Sequence, residues 1–269
     1  MRTSIATVSL SGSLTGKLDA AARAGFDGVE IFENDLLASP LTPEDIRARC
    51  ADLGLRIDLY QPMRDIEAVP EPEFARNLRR ARHKFELMRR LGADTVLVCS
   101  SVSPQAVDDD ALAAEQLSRL ADLAGESGIR VAYEALAWGR HVSTYDHAWR
   151  IVETAGHPAL GTCLDSFHIL SRGSDPQGIA HIPGEKIFFL QLADAPLLIG
   201  RGSDAAIKLD DDYVSTRHAR VAASGDEWFV EDLGSTNGTY VGPVRITQPT
   251  TSGLGVQVRV GKTILELRK

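Results

Sequence analysis

The chain has 269 residues, of which 43% are hydrophobic and 25% charged, and its formal net charge is −8. That length allows one large domain or two ordinary ones, and the composition is that of a globular protein in water. No apolar run approaches the roughly 20 residues a bilayer span needs, and neither part of the chain carries the basic face of a nucleic-acid binder.

The opening MRTSIATVSLSGSL lacks a basic segment followed by a long apolar one, so no secretory signal is expected. Cys50, Cys99 and Cys163 are odd in number and not spaced as a zinc pair, which fits reduced thiols and a cytoplasmic location. From residue 4 onward short β-type runs alternate with helical ones. SIATVSL precedes the amphipathic LTGKLDAAARAG, and GVEIFE precedes TPEDIRARCADLG. RIDLYQP leads to a long helix over about 71–91, TVLVCSS to DDALAAEQLSRLADLAGESG, and RVAYEAL to STYDHAWRIVETAG. LGTCLDSFH, an irregular stretch and IFFLQLAD complete the series. Strands alternating with helices of this length predict a parallel sheet with right-handed crossovers. Gly25, Gly54, Gly92 and Gly128 are placed as helix stops, with Thr42, before Pro43, and Ser143 as N-caps. Seven strands are expected, one short of the eight that close a (β/α)8 barrel.

After Leu198 the helical period stops. LLIGRG, AAIKL, HARVAA, WFVEDL, TYVG, VRI, VQVRV and TILELR follow one another between polar turns, the pattern of an all-β sandwich. Trp228, Phe229, Val230, Leu233, Val241, Ile264 and Leu265 are its expected core. Residues 198–269 carry nine Lys/Arg and nine Asp/Glu, so the entire −8 falls on residues 1–197, with 20 against 28. The fold class is therefore α/β plus all-β, an incomplete barrel of about seven strands over 1–197 joined to a shortened sandwich over 198–269.

Active sites of such barrels form at the C-terminal strand ends. The polar residues there are Glu30, Glu33, Gln61, Arg64, Glu134, Asp165, His168, Gln191 and Asp194. Glu134, Asp165 and Gln191 interrupt or end apolar strands, and a buried carboxylate needs a cation or hydrogen bonds to offset its desolvation. Three converging oxygen donors suit Mg²⁺ or Mn²⁺; each residue alone would serve equally in a structural ion pair. His83, His141, His147, His157 and His181 fall away from the strand ends and read as surface residues.

AYEAL, TCLDSFHILSRG and FLQLADAP, in that order, with VEIFENDLL, LYQPMRDIE and ARRARHKFELMRRLGAD, resemble the xylose-isomerase-like sugar isomerase/epimerase barrels. Within them the likeness is to the 3-dehydroshikimate dehydratases. That resemblance implies Glu134, Asp165 and Gln191 as metal ligands, His168 as the active-site histidine, and Arg64 and Glu30 as groups at the substrate. It implies loss of water from a β-hydroxy ketone, with the metal polarising the ketone and His168 or a neighbour taking the α-proton. The family's fourth ligand, a Glu on the eighth strand, has no counterpart before LLIGRGSD, so the expected Mg²⁺ or Mn²⁺ is held weakly or not at all.

IGRG, VSTRH and EDLGSTNGTYV resemble the FHA family, and the whole stretch is similar to the small actinobacterial FHA proteins. The resemblance implies a phosphothreonine peptide as partner, bound by Arg201, Ser215, Thr216, Arg217 and Asn237, with His218 as a structural strut. FHA domains also begin with a hairpin that is absent here. Three functions follow as alternatives: a phosphothreonine-binding module attached to a barrel of impaired activity; an active dehydratase acting on 3-dehydroshikimate with a regulatory FHA piece; or a recombined or artificial chimera with neither activity.

Overall fold

In the computed structural model the described residues are 2–192, 197–202, 205–224, 227–253 and 255–266. The chain divides into two compact units, Met1–Gln191 and Leu192–Lys269.

Seven strands form one sheet in the first unit: β1 (Ser4–Ala6), β2 (Gly28–Phe32), β3 (Arg56–Met63), β4 (Thr95–Cys99), β5 (Arg130–Glu134), β6 (Leu160–Asp165) and β7 (Ile187–Gln191). They lie in sequence order and every neighbouring pair is parallel. This fits an incomplete TIM barrel, because strictly sequential parallel order is what a barrel without its last strand leaves. The helices are α1 (Leu14–Arg23), α2 (Glu33–Leu37), α3 (Pro43–Asp52), α4 (Glu71–Leu91), α5 (Asp110–Gly125), α6 (Tyr145–Ala155) and α7 (Ser166–Ser171).

Local sequence sets their ends. Thr42 caps α3 as expected, and Asp45 returns a bond to the Thr42 backbone to complete a capping box. The cap of α6 is Thr144, not Ser143: Ala148 N–H donates to Thr144 O, which makes Thr144 the first residue of the helical ladder. The glycines expected to stop helices, Gly25, Gly54, Gly92 and Gly128, all have φ between +69° and +82°, a region costly for residues with a Cβ.

Between sheet and helices lies the main core, built on Val29, Ile31, Tyr60, Phe74, Phe85, Val96, Leu117, Val131 and Ile151. The opposite face of the strands carries a smaller cluster of Leu59, Leu97, Cys99, Ala132, Leu136 and Cys163, with Phe188 and Phe189 against it. Successive side chains point to opposite faces of a strand, so Tyr133 joins the first cluster while its neighbours Ala132 and Glu134 face the other way.

The second unit contains β8 (Leu197–Gly200), β9 (Ile207–Lys208), β10 (Ala219–Ser224), β11 (Glu227–Asp232), β12 (Thr239–Val241), β13 (Val244–Arg245), β14 (Thr250–Ser252), β15 (Gln257–Val260) and β16 (Thr263–Glu266). One sheet runs β14–β11–β10–β8–β9 and the other β13–β12–β15–β16. All pairs are antiparallel except β8 with β9. Strand β14, within the polar TTS, is the one the hydrophobic pattern does not reveal. Ile199, Val214, Ala219, Val221, Val230, Ile246, Val258 and Val260 form the core, drawn from both sheets, with Trp228, Val241 and Leu265 packed against it. Ile264, an expected core residue, is 57% exposed. Leu265 beside it takes the inward position, and period-two alternation then turns Ile264 out.

No helix among the described residues is long and apolar enough to cross a membrane.

Candidate functional site

The polar group of the first unit gathers at the C-terminal ends of the strands. Glu134 ends β5 opposite Cys99 on β4, and both carboxylate oxygens face thiols: Cys99 Sγ lies 3.4 Å from Oε2 and Cys163 Sγ 3.9 Å from Oε1. Asp165 ends β6 and caps α7, accepting from Phe167 N–H at 2.6 Å. His168 stands one turn into α7, its Nε2 4.0 Å from Asp165 Oδ2. Ligand-type atoms of Glu134, Asp165 and His168 all lie within 4.8 Å of one another.

Across the barrel Glu30 Oε2 accepts two amide donors, Gln61 Nε2 at 2.8 Å and Gln191 Nε2 at 2.6 Å. Gln191 thus spends its amide nitrogen on Glu30, which leaves its carbonyl oxygen as the atom able to ligate a cation. Arg64 is exposed beyond the end of β3, and its charge is felt by Glu134, His168 and Cys99. Glu33 does not join the group: it opens α2 and binds Lys84 Nζ and Tyr60 OH. Asp194 lies outside the described residues.

Burial dominates the electrostatics. It pushes the Glu134 carboxyl up to about 8, with Asp165 beside it adding to the shift. Glu30 rises to about 7, again through burial, opposed by the Gln191 bond and reinforced by Asp165. Asp165 is raised by burial against the backbone donors of Phe167 and His168. Burial, helped by Arg64, pushes His168 down to about 4, so the ring is neutral. Ala137 N–H donates to His168 Nδ1 at 3.1 Å, and a backbone amide can only donate. The single ring proton therefore sits on Nε2, which makes that atom a donor in this arrangement; taking a proton there requires the Ala137 bond to be given up.

Sequence reasoning misses the two thiols around Glu134, the Gln61–Glu30–Gln191 bridge, and the rings of Trp138 and Phe167 packed on His168. Strand alternation is the signal for the first, since Cys99 and Glu134 end adjacent strands in register. His141, His147 and His157 are half-buried instead of freely exposed. Each lies within 4.0 Å of a carboxylate, on Asp108, Asp110 and Asp122 respectively.

In the second unit the five phosphopeptide candidates lie on three loops that are bonded together. Arg201 N–H donates to Ser215 O at 3.1 Å and Gly202 N–H to Thr216 O at 2.9 Å, while Arg201 Nε reaches Val214 O at 2.6 Å. Ser215 Oγ accepts from Thr236 N–H at 3.2 Å, and Asn237 Nδ2 donates to Tyr213 O at 2.8 Å. His218, fully buried, takes Ser215 N–H at Nδ1 (3.0 Å) and faces Gly238 O through Nε2 (3.2 Å). Arg201, Thr216, Arg217 and Asn237 are exposed.

The profile of the xylose isomerase-like TIM barrel family matches residues 18–229, and the chain belongs to that family. Over 198 residues it is 57% identical to a 3-dehydroshikimate dehydratase of Pseudomonas putida, covering 74% of this chain and 31% of the relative. Over 79 residues it is 52% identical to the FHA domain-containing protein FhaB of Mycolicibacterium smegmatis, covering 29% of this chain and 51% of that one. A solved xylose isomerase-like TIM barrel/4-hydroxyphenylpyruvate dioxygenase fusion protein superposes with a TM-score of 0.72 at 56% identity, covering 74% of this chain and 32% of that one. The chain thus spans about a third of the dehydratase and half of the FHA protein.

Proposed function

We propose that this chain binds phosphothreonine peptides through its second unit, read as an FHA sandwich without its first hairpin. The observation that carries the reading is the assembly of Arg201, Ser215, Thr216, Arg217 and Asn237 on loops tied together by buried His218. A phosphate dianion is best held by a guanidinium fork with hydroxyl and amide donors around it, and these loops supply each type. Titration of the full chain with a fluorescent phosphothreonine peptide, its phosphoserine form and its unphosphorylated form tests this. Arg201→Ala is expected to weaken binding by at least about ten-fold, since a charge-assisted bond contributes about 1.5–3 kcal/mol. Unchanged affinity in that variant would overturn the reading.

The barrel has its own reading, favoured by the convergence of Glu134 and Asp165. Burial raises the protonation of both carboxyls, and Asp165 adds to the shift at Glu134, so the site is short of positive charge, which a divalent cation fits. Glu134, Asp165 and the Gln191 carbonyl oxygen would hold Mg²⁺ or Mn²⁺, which supplies Lewis-acid polarisation of a ketone oxygen when bound. Arg64 offers a partner for a substrate carboxylate, and His168 Nε2–H donates to a substrate oxygen. The substrate class is that of 3-dehydroshikimate, by likeness to the dehydratase. With no counterpart to an eighth-strand ligand, turnover is impaired. We read the whole as a fusion of the two pieces at the point where both are shortened. Titration with Mn²⁺ followed by electron paramagnetic resonance is expected to show weak binding that Glu134→Gln lowers at least about ten-fold; equal binding by the variant would remove the metal assignment.

A further inference from the structure

Glu30, Asp165 and Glu134 differ in what holds their carboxyl groups. Glu30 Oε2 accepts side-chain amides at 2.8 and 2.6 Å, and Asp165 Oδ1 accepts a backbone N–H at 2.6 Å. Glu134 has neither kind of donor. Among the described residues its carboxyl group is hydrogen-bonded only to sulfur, with Cys99 Sγ 3.4 Å from Oε2 and Cys163 Sγ 3.9 Å from Oε1.

The backbone cannot replace those contacts. Cys99 and Glu134 stand in register at the ends of β4 and β5, and Ser100 N–H donates to Glu134 O at 2.8 Å. These ties fix where the chain lies and leave the torsions of the long Glu134 side chain to be set by what the carboxyl group touches. The cluster that contains both thiols is otherwise built from Leu59, Leu97, Ala132 and Leu136, with Phe188 and Phe189 against it, side chains that have no donor to offer. A carboxylate that ligates a cation is ionised and can only accept, so the sulfurs are the donors. A buried thiol packs as a small apolar group and donates weakly. It can therefore sit in the apolar cluster and steady the carboxylate while leaving the remaining lone pairs to an ion. Neither sulfur belongs to the group of ligand atoms that Glu134, Asp165 and His168 bring within 4.8 Å of one another.

We propose that Cys99, the nearer of the two thiols, is a positioning residue whose S–H holds the Glu134 carboxylate in the rotamer that brings it to Asp165 and His168. This rests on the barrel reading above and adds to it a residue that acts through Glu134 alone.

The test uses the full chain and the variants Cys99→Ala, Cys99→Val and Cys99→Ser. Mn²⁺ affinity is read by electron paramagnetic resonance, and stability by urea unfolding without metal. Alanine removes the donor and leaves space, valine fills the space without a donor, and serine restores a donor. Cys99→Ala and Cys99→Val are each expected to bind Mn²⁺ about ten-fold more weakly than the parent chain, and Cys99→Ser within about three-fold of it, as for loss and rescue of a group that orients a metal ligand. Parent-like affinity in Cys99→Ala or Cys99→Val would overturn the positioning role and leave the barrel reading standing. An equal loss in all three variants would also overturn it, because a restored donor would then make no difference. If Cys99→Ala does not fold, the contrast between Cys99→Val and Cys99→Ser decides. Absence of Mn²⁺ binding by the parent chain would overturn the barrel reading and this proposal with it.

Discussion

At the scale of single residues, His218 shows how a binding surface depends on a side chain that never reaches the ligand. It fills no exposed position, yet it joins the loop of Ser215 to the loop of Asn237 and Gly238. Truncation to alanine leaves buried Gly238 O and half-buried Ser215 N–H without their partner, and an unsatisfied buried group costs about 1–3 kcal/mol. His218→Ala is therefore expected to destabilise the second unit by about 2–4 kcal/mol and to weaken phosphopeptide binding in parallel. Urea unfolding of the variant checks it, and a change below about 0.5 kcal/mol would contradict the strut role. The same scale shows what the sequence discloses. Glu134, Asp165 and Gln191 stand out because each breaks an apolar strand. The bond from Gln191 to Glu30 does not, because its partners lie 161 positions apart and meet only when the sheet curves. Trp138 escapes notice for another reason: a loop has no period against which one aromatic residue looks misplaced.

Whole elements are more legible in the sequence than their edges. Seven parallel strands follow from seven apolar runs separated by helical ones, since alternation with 3.6-residue patterns leaves little other topology. In the second unit β14 stays hidden because its residues are polar, and Ile264 misleads because either of two adjacent apolar residues on a short strand could face inward. The loop before β10 illustrates how such a unit keeps its shape. Asp211 accepts from Tyr213 N–H at 2.9 Å, Lys262 N–H at 2.8 Å and Thr263 Oγ1 at 2.9 Å, which fastens that loop to the turn between β15 and β16. The Tyr213 backbone donor, then those of Lys262 and Thr263, hold its carboxyl below the ordinary value of 3.8. A group with a depressed folded value contributes stability that is present above 3.8 and lost as the pH falls through the lowered value. Acid titration of the second unit's unfolding should therefore show a steepening below that pH. Asp211→Asn should flatten this limb; an unchanged acid limb in the variant would exclude Asp211 as its source.

For the whole molecule, each unit has a core of its own, and a ligand stabilises the unit that holds it. A ligand at about 100 times its Kd adds about 2.7 kcal/mol to the stability of the state that holds it. Saturating Mn²⁺ is expected to slow amide exchange in β5, β6 and β7 and to be reversed by a chelator. Phosphopeptide should do the same for the loops around Arg201, Ser215 and Asn237. Hydrogen exchange read by mass spectrometry checks both, and Mn²⁺ protection confined to the second unit would contradict the metal assignment.

The strand order has a kinetic consequence as well. In the first sheet Ser4 pairs with Gly28 and Thr95 with Arg130, each across a helical crossover, so no strand finds its neighbour until the chain between them is organised. In the second unit Val241 pairs with Val244 and Val260 with Thr263, across the tightest of turns. Contacts this local form before distant ones. The barrel piece leaves the ribosome first, but these two hairpins of the later piece have the shortest search.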